Sequence, residues 1–375
     1  MTVASKGPHY PATPAVWYEE GTYVDSVSAP RTPGFAVDPS VLKNHHAMIA
    51  SQGPLLPNEQ RAVDFQFRKR WKALLSVDDA IAGVANTLEE LKLWDSTYFF
   101  ITSDHGCTDA PSPVLPLLSL LTPWIVCADN LGQHNLPSCK LNVYDHSIRI
   151  PMMIRGPGIS PGRKFTEIGS NVDVAPTLLA LAGLDPLDTS PQMDGKSLLP
   201  WLLTSAADAL PSATAAQLAT ERARLRMPAE AVAPPKPVRE AHWVEFYALG
   251  NMMMCGGETC KADHEKPPYD LNGKTALAGM RCGGGAADGH QVDSTTSNTY
   301  RAYRFVSETH GDKLYAEFTA VKDWNFTGDL FVELFDVAAD PGQLRNLANE
   351  TSAAELAQYH AMVEKQFRCA GAACT

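Results

Sequence analysis

The sequence is short of positive charge. Its 375 residues include 31 Lys and Arg against 42 Asp and Glu, which gives a formal net charge of −11 at pH 7. Proteins that bind nucleic acid present a basic surface, so this balance argues against a general nucleic-acid-binding function. It does not exclude an anionic substrate, because the charge around a site matters more than the sum over the chain.

Other features that the sequence lacks exclude further classes of protein. Residues 1–11 have no apolar run of the kind that forms the core of a signal peptide, so we expect the sequence to begin in the middle of a longer protein. The apolar stretch at 107–129 is too short and too rich in proline to span a membrane. No internal repeat is visible. The hydrophobic fraction of 45% is enough to bury a core in one large or two ordinary domains.

The cysteines favour an oxidising compartment. Two close pairs, 255 with 260 and 369 with 374, accompany glycosylation sequons at Asn325 and Asn349, and both features favour a secreted or lysosomal protein. The alternative is free thiols and chance sequons. Zinc is a weaker interpretation, since no histidine stands at ligand spacing beside these cysteines. The eight cysteines are Cys107, Cys127, Cys139, Cys255, Cys260, Cys282, Cys369 and Cys374.

The clearest helical pattern runs from Asn58 to Leu93. Asn58 is a suitable N-cap, and large apolar residues recur near the helical period. These are Trp71, Leu74, Leu75, Ile81, Val84, Leu88 and Leu91. Asp78 and Asp79 resemble a paired-carboxylate metal site, but adjacent helical residues point about 100° apart and cannot easily chelate one ion. We therefore predict a structural role for both, with one carboxylate solvated or hydrogen-bonded.

A buried strand is predicted at Tyr98–Thr102, where aromatic and β-branched residues follow each other. The helix before it makes an α-then-β step, which is typical of a layered α/β fold with a mixed or mainly parallel sheet. Asp104 and His105 come directly after the strand, at the edge where parallel sheets bind ligands. A carboxylate and an imidazole can ligate a divalent cation, although an Asp-His-Gly sequence by itself often only ends a strand.

Several motifs follow one another from this strand onward. They are Ser-Asp-His-Gly at 103–106, Leu-Gly-Gln-His at 131–134, Lys140, Ile-Arg-Ile-Pro at 148–151 and Ile-Arg-Gly-Pro-Gly at 154–158. Their order closely resembles the sulfatase family, in particular the glucosamine-6-sulfatases and related arylsulfatases. The resemblance implies that Asp104 and His105 bind calcium and that Lys140 binds the sulfate ester. It also implies an α/β alkaline-phosphatase-like sandwich, which we expect to be N-terminally truncated here.

Other stretches resemble the same family. The His-Tyr-Pro loop at 9–11 implies that His9 contacts the sulfate ester, whereas His9 taken alone reads as an exposed loop residue. Arg31 lies in a second matching loop and is predicted to be structural rather than catalytic. Val-Asp-x-x-Pro-Thr-Leu from 172 matches too, and it predicts a helix capped near Asp173 and stopped by Gly183. Further matches are Asp-Gly-x-Ser-Leu at 194–198 and the closing sequence over 333–347.

Residues 107–129 separate two motifs that sulfatases place only a few residues apart. An apolar insert at the edge of an active site has no obvious place to be buried. One hypothesis is that it is translated non-coding sequence, such as a retained intron, and the alternative is a genuine lid loop. We favour the first hypothesis, which a comparison of the transcript with the gene would test.

The domain organisation follows from these patterns. Residues 1–204 are predicted to be the later part of a sulfatase catalytic domain with the insert at 107–129. Residues 205–240 are rich in Ala and Pro and are predicted to be a linker or variable loop. Residues 241–375 are predicted to form a small antiparallel sheet packed by a last helix. Its strands are expected at Trp243–Tyr247, Tyr300–Val306, Lys313–Phe318 and Leu330–Phe335, and its helix at 352–367.

The chemistry that the resemblance implies needs a nucleophile that is missing from the 375 residues. Sulfatases oxidise a Cys (or Ser) in Cys-x-Pro-x-Arg to formylglycine, whose hydrate attacks sulfur. Calcium and Lys140 then withdraw charge from the sulfate oxygens, and a histidine protonates the departing alcohol. None of the eight cysteines stands in that context. The aspartate pair that opens the family's metal site is missing as well, so we expect calcium to bind weakly or incompletely.

The motifs and the missing nucleophile are therefore compatible with two functions of different class. The first is a sulfuric ester hydrolase that removes 6-O-sulfate from a glucosamine-type sugar or glycosaminoglycan. The second is a catalytically inactive sulfatase fragment or a sulfate-binding pseudoenzyme. A phosphonate or phosphate monoester hydrolase of the same superfamily is a weaker third possibility. The expected partner is a sulfated carbohydrate or a small sulfate ester, without nucleic acid and without a membrane span.

Overall fold

The computed structural model describes residues 1–5, 7–9, 12–104, 130–136, 142–186, 193–203, 219–225, 238–247, 298–319 and 323–369, and these include a short helical stretch at 219–224 besides the elements that follow. The α-helices are α1 (Ala47–Ala50), α2 (Pro57–Glu90), α3 (Asp145–Ile148), α4 (Val174–Leu181), α5 (Leu199–Leu202) and α6 (Ala353–Phe367). The strands are β1 (Phe99–Thr102), β2 (Met152–Arg155), β3 (Ala241–Phe246), β4 (Thr299–Ser307), β5 (Gly311–Thr319) and β6 (Phe331–Asp336). Among these residues, no helix combines the length and apolar character needed to cross a bilayer.

The long helix α2 lies close to its predicted place but begins differently. Its first residue is Pro57, whose missing N–H costs nothing at a helix start. The Glu59 carboxylate accepts a hydrogen bond of 2.6 Å from the backbone N–H of Leu56 and so caps the helix. The prediction that Asn58 is the N-cap is therefore wrong, because Asn58 already lies in the first turn.

Helix α2 buries its apolar face mainly in its first half. Val63 and Phe67 pack with Ala29 and Leu131 in one hydrophobic cluster. Farther along, the predicted residues are half-buried while their neighbours on the opposite face are exposed, and Leu91 at the end is 61% exposed. The predicted face is thus the correct one, but its depth of burial falls along the helix.

Strands β1 and β2 form a two-stranded sheet. Phe99 pairs with Arg155 and Thr102 with Met152, so the two strands run antiparallel. The position of β1 confirms the strand predicted at Tyr98–Thr102, but none of its residues is fully buried. The expected mixed or mainly parallel sheet does not occur among the described strands, since both of their sheets are antiparallel. A short apolar run fixes strand character without fixing direction, which depends on how the chain returns to the sheet.

The second sheet has four antiparallel strands in the order β3-β4-β5-β6, as predicted. One of its faces packs against α6, where Phe305, Tyr315 and Leu334 meet Tyr359 and Val363. This arrangement confirms the predicted small sheet with its last helix, and the α/β class of the whole chain is confirmed with it.

The other face of the four-stranded sheet completes a core with the first part of the chain. Leu42, Met48 and Ile49 pack there with Phe318 and Phe335. The further members of this cluster are Leu136, Val143, Tyr144, Tyr300, Ala302, Leu314, Ala316 and Val337. Residues on both sides of the predicted linker therefore share one hydrophobic cluster, and the predicted domain boundaries stay a prediction.

Candidate functional site

The end of β1 carries the first predicted site residue, Asp104. The hydroxyl of Thr102 donates to the backbone oxygen of Pro151 at 3.0 Å, and the side-chain amide of Asn171 donates to the backbone oxygen of Ser103 at 2.8 Å. Asp104 Oδ1 lies 3.4 Å from the Ser103 hydroxyl. The backbone that leads to Asp104 is therefore held from two sides. His105, its predicted partner in calcium binding, lies outside the described residues.

Lys140 also lies outside the described residues, but the residues near it are buried and hydrogen-bonded. Leu136 and Asn142 are 1% and 2% exposed. The Asn142 amide donates to Asn130 Oδ1 at 3.0 Å, and Asn142 Oδ1 accepts from the backbone N–H of Tyr144 at 3.3 Å. Both flanks of the Lys140 segment thus have fixed places in the fold.

His9 lies in an exposed loop beside α2. Its backbone oxygen accepts a hydrogen bond of 2.8 Å from Ala12. Gly7 in the same loop lies so close to the helix that an added Cβ would come within 3.4 Å of Val77 Cγ2. The convergence of His9, Asp104, His105 and Lys140 on one pocket stays a prediction.

Arg31 has the structural role that the sequence predicts. Its guanidinium donates to Asp64 at 2.8 Å and to the backbone oxygen of Ala29 at 2.9 Å, and it lies 4.1 Å from the centre of the Phe35 ring. These contacts tie the loop to α2. Asp79 in the same helix accepts a hydrogen bond of 3.0 Å from the Tyr18 hydroxyl, which confirms that one carboxylate of the Asp78–Asp79 pair is hydrogen-bonded.

The two matching stretches around Asp173 and Gly195 join to each other. The buried Asp173 carboxylate accepts from the backbone N–H of Ser170 at 2.9 Å and of Lys196 at 2.7 Å, and it pairs with Arg239. Gly195 lies so close to Val172 that an added Cβ would fall 1.9 Å from its carbonyl oxygen. These motifs build a structural junction, which explains why an acid and a glycine stand at these places.

A buried polar cluster joins the first part of the chain to the four-stranded sheet. Glu333 on β6 is fully buried, and its carboxylate accepts from the backbone N–H of His46 at 2.7 Å and from the Tyr144 hydroxyl at 3.0 Å. His46 Nδ1 lies 3.2 Å from the same carboxylate. Burial alone would raise the pKa of Glu333, but the charge and hydrogen bonds of His46 outweigh it and lower that pKa. Burial, reinforced by Glu333, raises the pKa of Tyr144.

Further histidines extend this cluster toward the Lys140 segment. The backbone oxygen of Gln343 accepts from His45 Nε2 at 2.9 Å and from His134 Nε2 at 3.1 Å. The half-buried His146 has Nε2 2.7 Å from Asn130 Oδ1. Burial lowers the pKa of His134 well below its ordinary value, and burial lowers the pKa of His146 to about 4. Burial therefore favours the neutral form of His134 and His146.

Sequence reasoning missed this cluster, although Glu333 belongs to a matching motif. His46 and Glu333 are 287 positions apart, and no periodicity connects them. Within the described ranges, no group of three or more His, Cys, Asp or Glu side chains is arranged to hold a metal ion. The assignment of calcium to Asp104 and His105 therefore stays a prediction from the motif.

Comparisons with known proteins agree with the motifs. Residues 1–184 match the family model described as Sulfatase. The chain is similar to N-acetylglucosamine-6-sulfatase of Homo sapiens, with 34% identity over 203 residues that cover 54% of this chain and 32% of that protein. It is also similar to N-acetylglucosamine-6-sulfatase of Bos taurus, with 27% identity over 380 residues that cover 100% of this chain and 52% of that protein. The chain spans about half the length of that curated relative.

A solved structure supports the fold. The crystal structure of phosphonate monoester hydrolase of Agrobacterium radiobacter superposes with a TM-score of 0.51 at 17% sequence identity. The superposition covers 94% of this chain and 54% of that chain. At this identity the likeness concerns the fold, and it agrees with the α/β class that the motifs imply.

Proposed function

This chain belongs to the sulfatase family over residues 1–184, and from this premise we propose that the protein hydrolyses sulfate esters of a sulfated sugar. The finer proposal is removal of a 6-O-sulfate from a glucosamine-type sugar or glycosaminoglycan. The observation that carries it is the Ser-Asp-His-Gly sequence at the end of β1, inside the matched region. The names of the human and bovine relatives support the choice of sugar.

Each site residue has a proposed role in this reaction. The Lys140 ammonium would hold the sulfate oxygens and stabilise the negative charge that develops on them. His9 would protonate the alcohol oxygen as it leaves sulfur. Asp104 and His105 would ligate a calcium ion, which when bound supplies a Lewis acid for the sulfate group. With two proposed ligands, most of a calcium coordination sphere would remain for water.

A second candidate function is favoured by one observation. The 375 residues contain no Cys-x-Pro-x-Arg sequence, from which the family makes its formylglycine nucleophile. A chain with the charge-stabilising residues but without that nucleophile would bind a sulfate ester and leave it intact. Under this alternative the protein is a sulfate-binding pseudoenzyme or an inactive fragment.

One experiment separates the two functions. Residues 1–375 are produced with calcium and a formylglycine-generating enzyme, alone and with an upstream segment carrying Cys-x-Pro-x-Arg, and hydrolysis of a chromogenic sulfate ester and of N-acetylglucosamine-6-sulfate is measured. We expect turnover only with the upstream segment. Lys140→Ala should reduce that turnover about 100-fold or more. Lys164→Ala is the matched control, because Lys164 is an exposed lysine outside the motifs.

The outcomes are distinct. Suppose that neither form hydrolyses either ester, that calorimetry detects binding of a sulfated sugar, and that Lys140→Ala abolishes this binding. The pseudoenzyme function is then supported. If neither form hydrolyses or binds the ester, both functions are rejected. The same assay on a variant that lacks 107–129 tests the insert, because a genuine lid should be needed for turnover and non-coding sequence should not.

We propose a secreted or lysosomal location. Cys369, the single cysteine among the described residues, is disulfide-bonded. Disulfides persist in the secretory pathway and are rare in the cytosol. The sequons at Asn325 and Asn349 fit the same compartment, in which the protein would be a glycoprotein.

A further inference from the structure

The loop between β5 and β6 is built around one carboxylate. Asp323 accepts hydrogen bonds from the backbone N–H of Thr327 at 3.0 Å and of Gly328 at 2.7 Å, and from the Thr319 hydroxyl at 2.8 Å. These donors hold the pKa of Asp323 well below its ordinary value, with the Thr327 backbone contributing most. These hydrogen bonds therefore fix the conformation of the loop.

Phe326 anchors the middle of this loop in the protein. It is 7% exposed, and its ring centre lies 5.6 Å from that of Phe367 on α6. The Arg301 guanidinium lies 4.4 Å from the same ring centre. With a φ of 54°, Phe326 also turns the chain sharply. As a result, its two neighbours Asn325 and Thr327 are both exposed at the surface.

These exposed neighbours are the two recognition residues of an Asn-x-Thr sequon whose middle residue is buried. Phe367, which holds that middle residue, lies two positions before the disulfide-bonded Cys369. The disulfide indicates passage through an oxidising compartment, where N-glycosylation takes place. We propose that Asn325 is an N-glycosylation site. This inference rests on the secretory location proposed above but not on sulfatase activity.

The covalent step is an amide glycosylation. The Asn325 side-chain nitrogen attacks the anomeric carbon of an oligosaccharide carried on a lipid diphosphate. A C–N bond forms, the C–O bond to the diphosphate breaks, the lipid diphosphate leaves, and the amide loses one proton. No oxidation or reduction is involved. The folded chain accommodates the product, because Asn325 lies at the surface.

The test uses the full 375-residue chain behind a cleavable secretory leader in eukaryotic cells. Asn349→Gln removes the second sequon and leaves Asn325 as the single acceptor, since the sequence contains two sequons. In this background Asn325→Gln removes the site, and Thr327→Ser is the matched control, because serine keeps both the sequon and a hydroxyl beside Asp323. Samples are taken from the membrane fraction and the medium, then treated with peptide N-glycosidase.

We expect glycosidase treatment to lower the apparent mass of Asn349→Gln by one step, the size of one glycan. Mass spectrometry should then find Asp at position 325. Thr327→Ser should behave in the same way, and Asn325→Gln should show no step. An Asn349→Gln protein that forms its Cys369 disulfide and still shows no step overturns the inference. Because the leader enforces export, that result leaves the proposal of a native secretory location untouched, and the location is tested separately by fractionating cells that express the natural gene.

Discussion

The four-stranded sheet and the β1–β2 sheet are stabilised in different ways. Strands β4 and β5 have nine residues each, and most of β5 is fully buried. Strands β1 and β2 have four residues each, and none of these residues is fully buried. The proposed chemistry begins at the end of β1, whereas the larger sheet supplies the deeper core. Among the described strands, the deeper burial therefore lies away from the proposed site.

The larger sheet also contains fully buried charged groups, whereas Arg155, the charged residue of the smaller sheet, is exposed. Arg301 on β4 is fully buried and pairs with Glu317 at 2.8 Å and with Glu364 on α6 at 2.8 Å. Glu317 in turn accepts from the Tyr315 hydroxyl at 2.8 Å, and His360 Nδ1 lies 2.7 Å from it. A network of this kind is costly to break, because removal of one partner leaves a buried charge unpaired.

The largest expected effect is therefore that of Arg301→Ala. It should lower the free energy of unfolding by about 3–5 kcal/mol, since Glu317 would remain buried without its guanidinium. Urea denaturation at pH 7 measures the change. Arg345→Ala is the control, because the Arg345–Glu350 pair is 69% and 56% exposed and should contribute little to stability. Equal losses in the two variants would contradict the assignment of the deeper core to the larger sheet.

The next effect is a dependence of stability on pH. The folded-state pKa of His146 is lowered from 6.5 to about 4 by burial, against the opposing charge of Asp145. The unfolded chain therefore binds more protons between these values, and stability falls as the pH drops from 6.5 toward 4. A shift of this size corresponds to about 3 kcal/mol.

Urea denaturation of the wild type and of His146→Gln at pH 7, 5.5 and 4.5 measures this contribution. We expect a shallower loss of stability with falling pH in the variant, because glutamine does not titrate. If the free energy of unfolding changes with pH in the same way in both proteins, protonation of His146 costs the folded state no free energy, and the prediction is contradicted.

A smaller effect is expected at the junction of the two motifs around Asp173. Gly195→Ala would place a Cβ against the Val172 carbonyl and should destabilise the protein by about 1–3 kcal/mol or more, as overpacking does. Gly83→Ala is the control, because Gly83 lies in α2 with no atom within 4 Å of an added Cβ. That change should stabilise the helix by up to about 1 kcal/mol. Thermal melts that move in the same direction for both variants would contradict the described junction.

The smallest expected effect is that of Arg31→Ala. The Arg31 side chain is 43% exposed, so its pair with Asp64 should be worth less than about 1 kcal/mol. Turnover of a sulfate ester by the form that carries the upstream segment should stay unchanged. A large loss of turnover with unchanged stability would contradict the structural role of Arg31 and indicate a role in the reaction.

The sequence predicted the local elements well and their long-range pairing less well. The aromatic run before Asp104 is a strand, and the alternating runs after residue 240 form four antiparallel strands, because side-chain period reports burial directly. The mixed or mainly parallel sheet expected around β1 is not found among the described strands, since a run of four residues such as β1 fits either strand direction. The cap of α2 was wrong because Glu59 reaches back to Leu56 and takes the place predicted for Asn58.

The candidate site shows the same limit. The structural roles of Arg31 and Asp79 followed from their surroundings in the sequence. The buried cluster of His46, Tyr144 and Glu333 did not, because its members come from three distant segments and are brought together by tertiary packing. The roles of His9, Asp104, His105 and Lys140 come from family motifs, and they stay predictions.

The contact between the first fifty residues and β6 has a consequence for biosynthesis. Leu42, Met48 and Ile49 leave the ribosome long before Phe335 and Glu333, because His46 and Glu333 are 287 positions apart. While the intervening chain is translated, this early segment has no final partner and its apolar side chains face water or a chaperone. The nascent protein therefore completes this core only after β6 has been synthesised, and premature termination before β6 would leave the early segment open to aggregation.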